Sequence, residues 1–227
     1  MMRGKIVTLT NKEAVDFLMD KHYSGRKPNI TKAYGWIVDE ELQAVVTYGK
    51  PANYALCDGV CGKAYSGSVY ELNRLCRNEE FHEPMSQFVA STLRRLSTNN
   101  WIIVSYADEG AGHQGYIYQA LNFMYTGGSK ERLQFHVPGG HSRHGTVTSP
   151  LREVRTVKHR YIYFATKDRR LKREWTESLN YPVMPYPKRS NTNYELGSIL
   201  RPTVVDISGV ERIVVQNSFF DSEEGNK

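Results

Sequence analysis

Apolar side chains recur at helical spacing just after the N-terminus, where Ala14, Val15, Leu18 and Met19 fall on one side of the run from Asn11 to Lys21. Thr10 precedes this run and Glu13 stands three residues on, the pairing of a capping box, so a first helix is predicted there. His22-Tyr23-Ser24-Gly25 ends it, because glycine lets the backbone turn and Pro28 prevents resumption. The period then shortens to that of strands. Ala33 to Val38 and Leu42 to Gly49 are β-branched and aromatic and flank the acidic turn Asp39-Glu40-Glu41, which predicts a hairpin. Lys50 to Ser68 turns to Gly, Ala, Cys and Ser and is predicted to be a long irregular loop.

Val69 to Cys76 predicts the next strand. Pro84 then opens a helix carrying Phe88, Val89, Thr92, Leu93 and Leu96, closed by Arg94-Arg95, where positive charge suits a helix C-terminus. Trp101 to Tyr106 is an almost unbroken apolar run of strand length, the mark of a central strand covered on both faces. A helix from His113 to Asn122 and a short strand from Phe123 to Thr126 follow the turn Asp108-Glu109-Gly110-Ala111-Gly112. Ser129 to Thr148 is polar and Gly-rich and predicts a mobile basic loop, and Arg160 to Thr166 predicts the last strand of the main sheet. A charged helix beyond Asp168 leads into the prolines at 182, 185 and 187. These patterns predict one α/β catalytic domain over residues 1–180 and a C-terminal arm over 181–227 with a frayed end.

Charge changes the picture next. A net charge of +6 and a pI near 9.1 favour a polyanionic partner, because each neutralised phosphate releases counterions. The 15 tyrosines cluster beside glycine, histidine and arginine, which suits stacking on bases. No apolar run approaches the ~20 residues a bilayer requires, so a soluble chain is expected. Three cysteines, Cys57, Cys61 and Cys76, give an odd count and argue against a disulfide framework.

The element order is compatible with the acyltransferase fold called GNAT, a mixed, mostly antiparallel sheet flanked by helices in which two central strands part to admit an acyl donor. Polar groups of Glu71-Leu72-Asn73-Arg74-Leu75 on one strand and Ser105-Tyr106-Ala107-Asp108 on the next would then meet at one cleft. Together with His22-Tyr23-Ser24, Tyr48-Gly49-Lys50-Pro51, Gly112-His113-Gln114-Gly115-Tyr116-Ile117-Tyr118-Gln119-Ala120 and Asn122-Phe123, these segments resemble the Mom family of phage DNA modification proteins, over residues 10–165. The resemblance implies a GNAT-like fold and modification of the N6 amino group of adenine in duplex DNA. The implied methylcarbamoyl-type adduct blocks host restriction enzymes, in the cytoplasm of the host cell.

On this reading Asp108, Tyr118, His22, Tyr23 and Arg74 are the catalytic candidates, and Ser105, Tyr48, Asn73 and His113 would bind substrate. Arg74, mid-strand, needs a partner, and Asp108 is the nearest candidate in sequence terms: either the two form a structural ion pair, or Arg74 orients Asp108 toward the amine. Tyr118 serves as a general acid or stacks on an extruded base. His113 caps its helix or donates to a phosphate. Arg26, Lys27, Arg143 and His144 are read as contacts to DNA phosphates.

One departure concerns the donor. GNAT enzymes hold the pyrophosphate of acetyl-CoA or a related acyl donor on a Gly-rich loop, whereas the corresponding interval here is Arg77-Asn78-Glu79-Glu80-Phe81-His82-Glu83. A structural zinc site is not expected; an iron site built from His22, Asp108 and a tyrosine stays open, as does a homodimer. Two rival readings are an acyltransferase for another amine and a non-catalytic DNA-binding protein that masks restriction sites.

Overall fold

The computed structural model describes residues 3–135, 150–188, 203–206 and 214–215. The elements follow in the order β1 (Lys5–Thr8), α1 (Asn11–Met19), β2 (Lys32–Val38), β3 (Glu41–Gly49), α2 (Tyr54–Cys61), β4 (Val69–Arg77), α3 (Met85–Leu96) and β5 (Trp101–Asp108). After them come α4 (Tyr116–Ala120), β6 (Met124–Gly128), β7 (Arg132–Phe135), β8 (Leu151–Arg155), β9 (Lys158–Ala165), α5 (Arg169–Glu177), β10 (Val204–Asp206) and β11 (Val214–Val215). The chain divides into two compact units, Met1–Ser129 with Lys158–Ile199, and Lys130–Val157 with Leu200–Lys227. The divide therefore falls elsewhere than residue 180. The proline-rich stretch belongs to the first unit, where the Met184 amide donates to the Tyr125 carbonyl (2.8 Å) and the Tyr186 hydroxyl to the Phe123 carbonyl (2.9 Å).

The first unit holds a seven-stranded sheet in the order β1-β2-β3-β4-β5-β9-β6, antiparallel at every pairing except β4 with β5. β5 is covered on both faces, as its apolar run requires: Ile103 and Ala107 pack with Phe88, Val89 and Leu96 of α3, while Ile102 and Val104 pack with Cys57 and Val60 of α2 and Trp175 of α5. α1 has both halves of its capping box, with Thr10 and Glu13 exchanging side-chain-to-backbone bonds, and buries Ala14, Phe17 and Leu18 against Ala33, Val45 and Cys76. The hairpin turns at Asp39 and Glu40, both at positive φ (50° and 66°), the conformation that matches strand twist in a two-residue turn. This is the mixed, mostly antiparallel sheet flanked by helices that the sequence predicts.

Three segments differ from expectation. The loop predicted over Lys50 to Ser68 is mostly helical: Asn53 caps α2 by accepting from the Ala55 amide (3.1 Å), and Cys57, Val60 and Cys61, three and four apart, supply its buried side. The helix predicted from His113 is only Tyr116–Ala120, because Gly112 and Gly115 both sit at positive φ and leave His113 in the turn before it. Within the predicted basic loop, Arg132–Phe135 is a strand. It belongs to the second unit, a four-stranded sheet in the order β11-β10-β8-β7 in which Arg132 of β7 and Arg152 and Arg155 of β8 hide the usual apolar alternation. Arg143, His144 and the predicted frayed end lie outside the described residues.

Candidate active site

β4 and β5 pair in parallel from Val69–Ile102 to Leu72–Ser105, and then stop pairing although β4 continues to Arg77 and β5 to Asp108. The parting has a local cause. Against β3, Thr47 faces Arg74 and Tyr48 faces Leu72, so Asn73 is the extra residue of a bulge that turns β4 away. The Ser105 hydroxyl donates to the Leu72 carbonyl (3.0 Å) at the last paired position. The Asn73 amide is used on both ends, accepting from Thr47 Oγ1 (2.6 Å) and donating to the Asn29 carbonyl (2.7 Å). Gly49 allows this: a Cβ there would overlap the Asn29 carbonyl. Asn73 and Ser105 thus hold the split open. Tyr48 is no cleft residue either, being fully buried with its hydroxyl 2.6 Å from Thr92 Oγ1.

Arg74 follows the bulge. It donates through Nη1 to the Asn73 carbonyl (2.6 Å) and through Nη2 to the Arg26 carbonyl (3.2 Å), which ties the loop after α1 to β4. Its Nε is buried without a hydrogen-bond partner among the described residues. The loop so fixed presents His22 and Tyr23, with Arg26 and Lys27 beyond them. His22 Nδ1 accepts from the Ser24 amide (3.1 Å), which leaves the proton of the neutral ring on Nε2. Its ring stacks on Tyr23 at 4.5 Å between centroids, and Tyr23 meets His113 edge-on at 5.6 Å.

Burial, with Arg74 and His113 nearby, lowers the His22 pKa to about 3, so its ring is neutral at physiological pH. Burial also raises the Tyr23 hydroxyl, with Asp108 and Tyr118 adding to the effect. A histidine depressed on folding binds fewer protons than the unfolded chain between its folded and unfolded pKa values. Stability is therefore lost as pH falls from about 6.5 toward 3. Replacing His22 by Gln should flatten this dependence by about 1–2 kcal/mol at pH 5. Thermal unfolding of both proteins at pH 7 and pH 5 checks this, and equal losses would mean that His22 is not the group responsible.

Asp108 ends β5. One carboxylate oxygen accepts from the Gly110 amide (3.1 Å), and the other pairs with Lys158, which stands opposite it on β9. This corrects the expected partnership: among the described residues Arg74 makes no ion pair with Asp108. The strands carrying them separate after Leu72 and Ser105, while β9 stays paired with β5 through to Asp108. Tyr118 sits against Phe123 and Tyr161, each 5.3 Å away between centroids. Burial raises its hydroxyl to about 12, against the hydrogen-bonding influence of Ser105, with Glu71 adding to the rise. His22, Tyr23, Arg74, Asp108, His113 and Tyr118 are thus gathered around one split in the sheet.

The residue that the candidates omit is Glu71. It lies on β4 beside Val104 of β5, one position before the parallel pairing ends. Its half-buried carboxylate makes no hydrogen bond or ion pair among the described residues, and burial raises its pKa while Arg74 and Lys158 hold it down. The signal was in the sequence: an acidic residue within a strand in the interior of a sheet must answer to something.

The usual grip on a pyrophosphate does not fit here. Arg77 Nη1 donates to the Phe81 carbonyl (2.7 Å), the Asn78 side chain donates to the Leu42 carbonyl (3.1 Å), and Phe81 is buried, so the interval before α3 closes on itself. It turns the exposed carboxylates of Glu79 and Glu80 outward, where they would repel a phosphate. Among the described residues no three His, Cys, Asp or Glu side chains gather closely enough to hold a metal ion.

Comparison with known proteins gives a family. The family model described as the Mom protein family matches residues 4–188. No curated protein matches the sequence. Among solved structures, an N-acetyltransferase from Staphylococcus aureus is similar at 8% identity and a TM-score of 0.46, covering 73% of this chain and 100% of that one. A Bacillus subtilis acetyltransferase in complex with CoA is similar at 15% identity and a TM-score of 0.41, with 72% and 99% covered. A GNAT family acetyltransferase from Elizabethkingia anophelis with acetyl-CoA bound shows 11% identity and a TM-score of 0.41, with 70% and 97% covered.

Proposed function

Because the chain belongs to the Mom family, we propose that it modifies the N6 amino group of adenine in duplex DNA, leaving a methylcarbamoyl-type adduct that shields phage DNA from restriction in the host cytoplasm. The observation that carries this reading is the gathering of His22, Tyr23, Arg74, Asp108 and Tyr118 at the parting of β4 and β5. An adenine must leave the duplex to be modified at N6, and the stacked rings of His22 and Tyr23, edge-on to His113, offer it an aromatic wall. Asp108 accepts a hydrogen bond from the exocyclic amine, its charge kept in place by Lys158. Tyr118, whose phenol is protonated at neutral pH, is the group at the split that can donate to the leaving group of the donor. That donor is an activated acyl compound whose reactive end enters the split without the usual pyrophosphate loop.

Duplex DNA is the partner that Arg26 and Lys27 serve, placed on the loop that Arg74 fixes beside the site. No helix among the described residues is long and apolar enough to cross a membrane. Replacing both Arg26 and Lys27 by alanine should weaken binding about equally for all sequences and reduce the salt slope by about 2, one for each phosphate that is no longer neutralised. Titrations from low to high salt check this, and a sequence-selective loss would instead mean that the loop reads bases. The function itself is tested by mass analysis of nucleosides from a plasmid co-expressed with the chain. An altered adenosine supports the reading; DNA bound but unaltered would point to a protein that masks its sites.

A further inference from the structure

We infer that Glu71, and not Asp108, is the catalytic base that takes the proton from the acceptor amine. This rests on the proposed amine modification and assigns one of its steps. The two carboxylates at the split differ in what they are free to do. Both oxygens of Asp108 are engaged, one by the Gly110 amide and one by the Lys158 ammonium, so Asp108 is built to hold a fixed charge. Glu71 has no such partners among the described residues. A half-buried carboxylate without a hydrogen bond is costly, and an acceptor-only group of this kind is satisfied by a ligand that brings N–H donors. An exocyclic amine brings two.

The surroundings fit a base as well as a binder. The charged and titratable groups around Glu71 are Arg74 on its own strand, Lys158 on β9, Tyr106 on β5, Tyr118 on α4 and Cys57 on α2. Burial raises the affinity of this carboxylate for a proton, while the two cations favour its charged form, and a raised proton affinity suits a proton acceptor. In the step assigned to it, the amine nitrogen bonds to the carbonyl carbon of the activated acyl donor as an N–H bond breaks and its proton passes to Glu71. The donor's leaving group departs with the electron pair of the broken bond and is protonated by the Tyr118 phenol. Proton exchange with solvent then restores both residues.

Glu71→Gln keeps the shape and removes the proton acceptor. Nucleoside analysis should show adenine modification reduced at least ~100-fold, with salt-dependent DNA binding unchanged. The variant's melting temperature at pH 8 should equal or exceed that of the wild type, because a carboxylate whose pKa is raised on folding destabilises the fold once ionised. The rate of wild-type modification should rise with pH along an acid limb that Glu71→Gln lacks. Glu71→Asp, which retains a base on a shorter arm, should keep the limb at a reduced rate. A wild-type-like rate in Glu71→Gln, or an acid limb that survives there and vanishes in Asp108→Asn, would overturn the assignment. Absence of any altered nucleoside with the wild-type chain would overturn the amine-modification reading itself.

Discussion

Asp108→Asn is expected to lower adenine modification by about 100-fold or more while the protein stays folded and bound to DNA. The substitution preserves size, and the Asn side-chain oxygen still accepts from the Gly110 amide, so the turn after β5 keeps its anchor. It removes the charge that faces Lys158. Because about a third of the Lys158 side chain is exposed, water compensates much of the lost pairing, and the stability cost should be about 1 kcal/mol rather than the larger penalty of a sealed ion pair. The effect on activity is larger because an unneutralised ammonium then stands where the acceptor amine must bind. Unfolding temperature and nucleoside content measured on one preparation separate the two outcomes. A stable Asp108→Asn protein that modifies adenine at the wild-type rate would remove Asp108 from the reaction centre.

Gly115→Ala is expected to be the most destabilising of the substitutions considered, at about 3 kcal/mol. The residue sits at φ +79°, where a side chain costs about 1–2 kcal/mol. A Cβ there would also overlap the Tyr161 ring, with Cζ only 2.7 Å away, and overpacking adds about 1–3 kcal/mol. Tyr161 has no room to retreat: it is fully buried, and its hydroxyl donates to the Gln114 carbonyl and accepts from Gln119 Nε2 (3.0 Å). For a chain of this size the loss corresponds to a drop of about 6–12 °C in melting temperature. Thermal unfolding of Gly115→Ala against the wild type checks this, because Gly115 is left-handed and the backbone cost alone would be only about 1–2 kcal/mol. A loss confined to about 1–2 kcal/mol would mean that the Tyr161 contact contributes nothing. Tyr118 leans on Tyr161, so Gly115→Ala should also reduce modification at temperatures where the variant remains folded.

The elements that local physics fixes are legible without the fold. The Thr10–Glu13 capping box, the apolar run of β5 and the hairpin around Asp39 and Glu40 depend on residues within a few positions of one another, and each appears where the pattern places it. α2 escapes the pattern although Cys57, Val60 and Cys61 carry a helical spacing, because small residues and glycine dilute the contrast between buried and exposed positions. The helix expected from His113 is shorter than its pattern, since a sequence does not state which glycines take positive φ.

Among the site residues, His22, Tyr23, Arg74, Asp108 and Tyr118 can be singled out one by one as polar or aromatic groups at element ends and in family-like motifs. Their partners cannot. That Lys158 and not Arg74 neutralises Asp108 follows from β9 pairing with β5 across 50 residues of chain, and from the Asn73 bulge that carries Arg74 away. Whether a polar side chain binds or merely supports is equally hidden: Tyr48, Asn73 and Ser105 read as cleft residues, and Thr92, Thr47 with Asn29, and Leu72 prove to occupy them. Glu71 is the converse, a carboxylate whose importance lies in the partners it lacks among the described residues. Sequence determined which chemistry the chain contains, because side-chain type and short-range periodicity are local. Only the tertiary structure decided which groups are neutralised, which are occupied and which are left to act, because burial and pairing are set by strands that meet from distant parts of the chain.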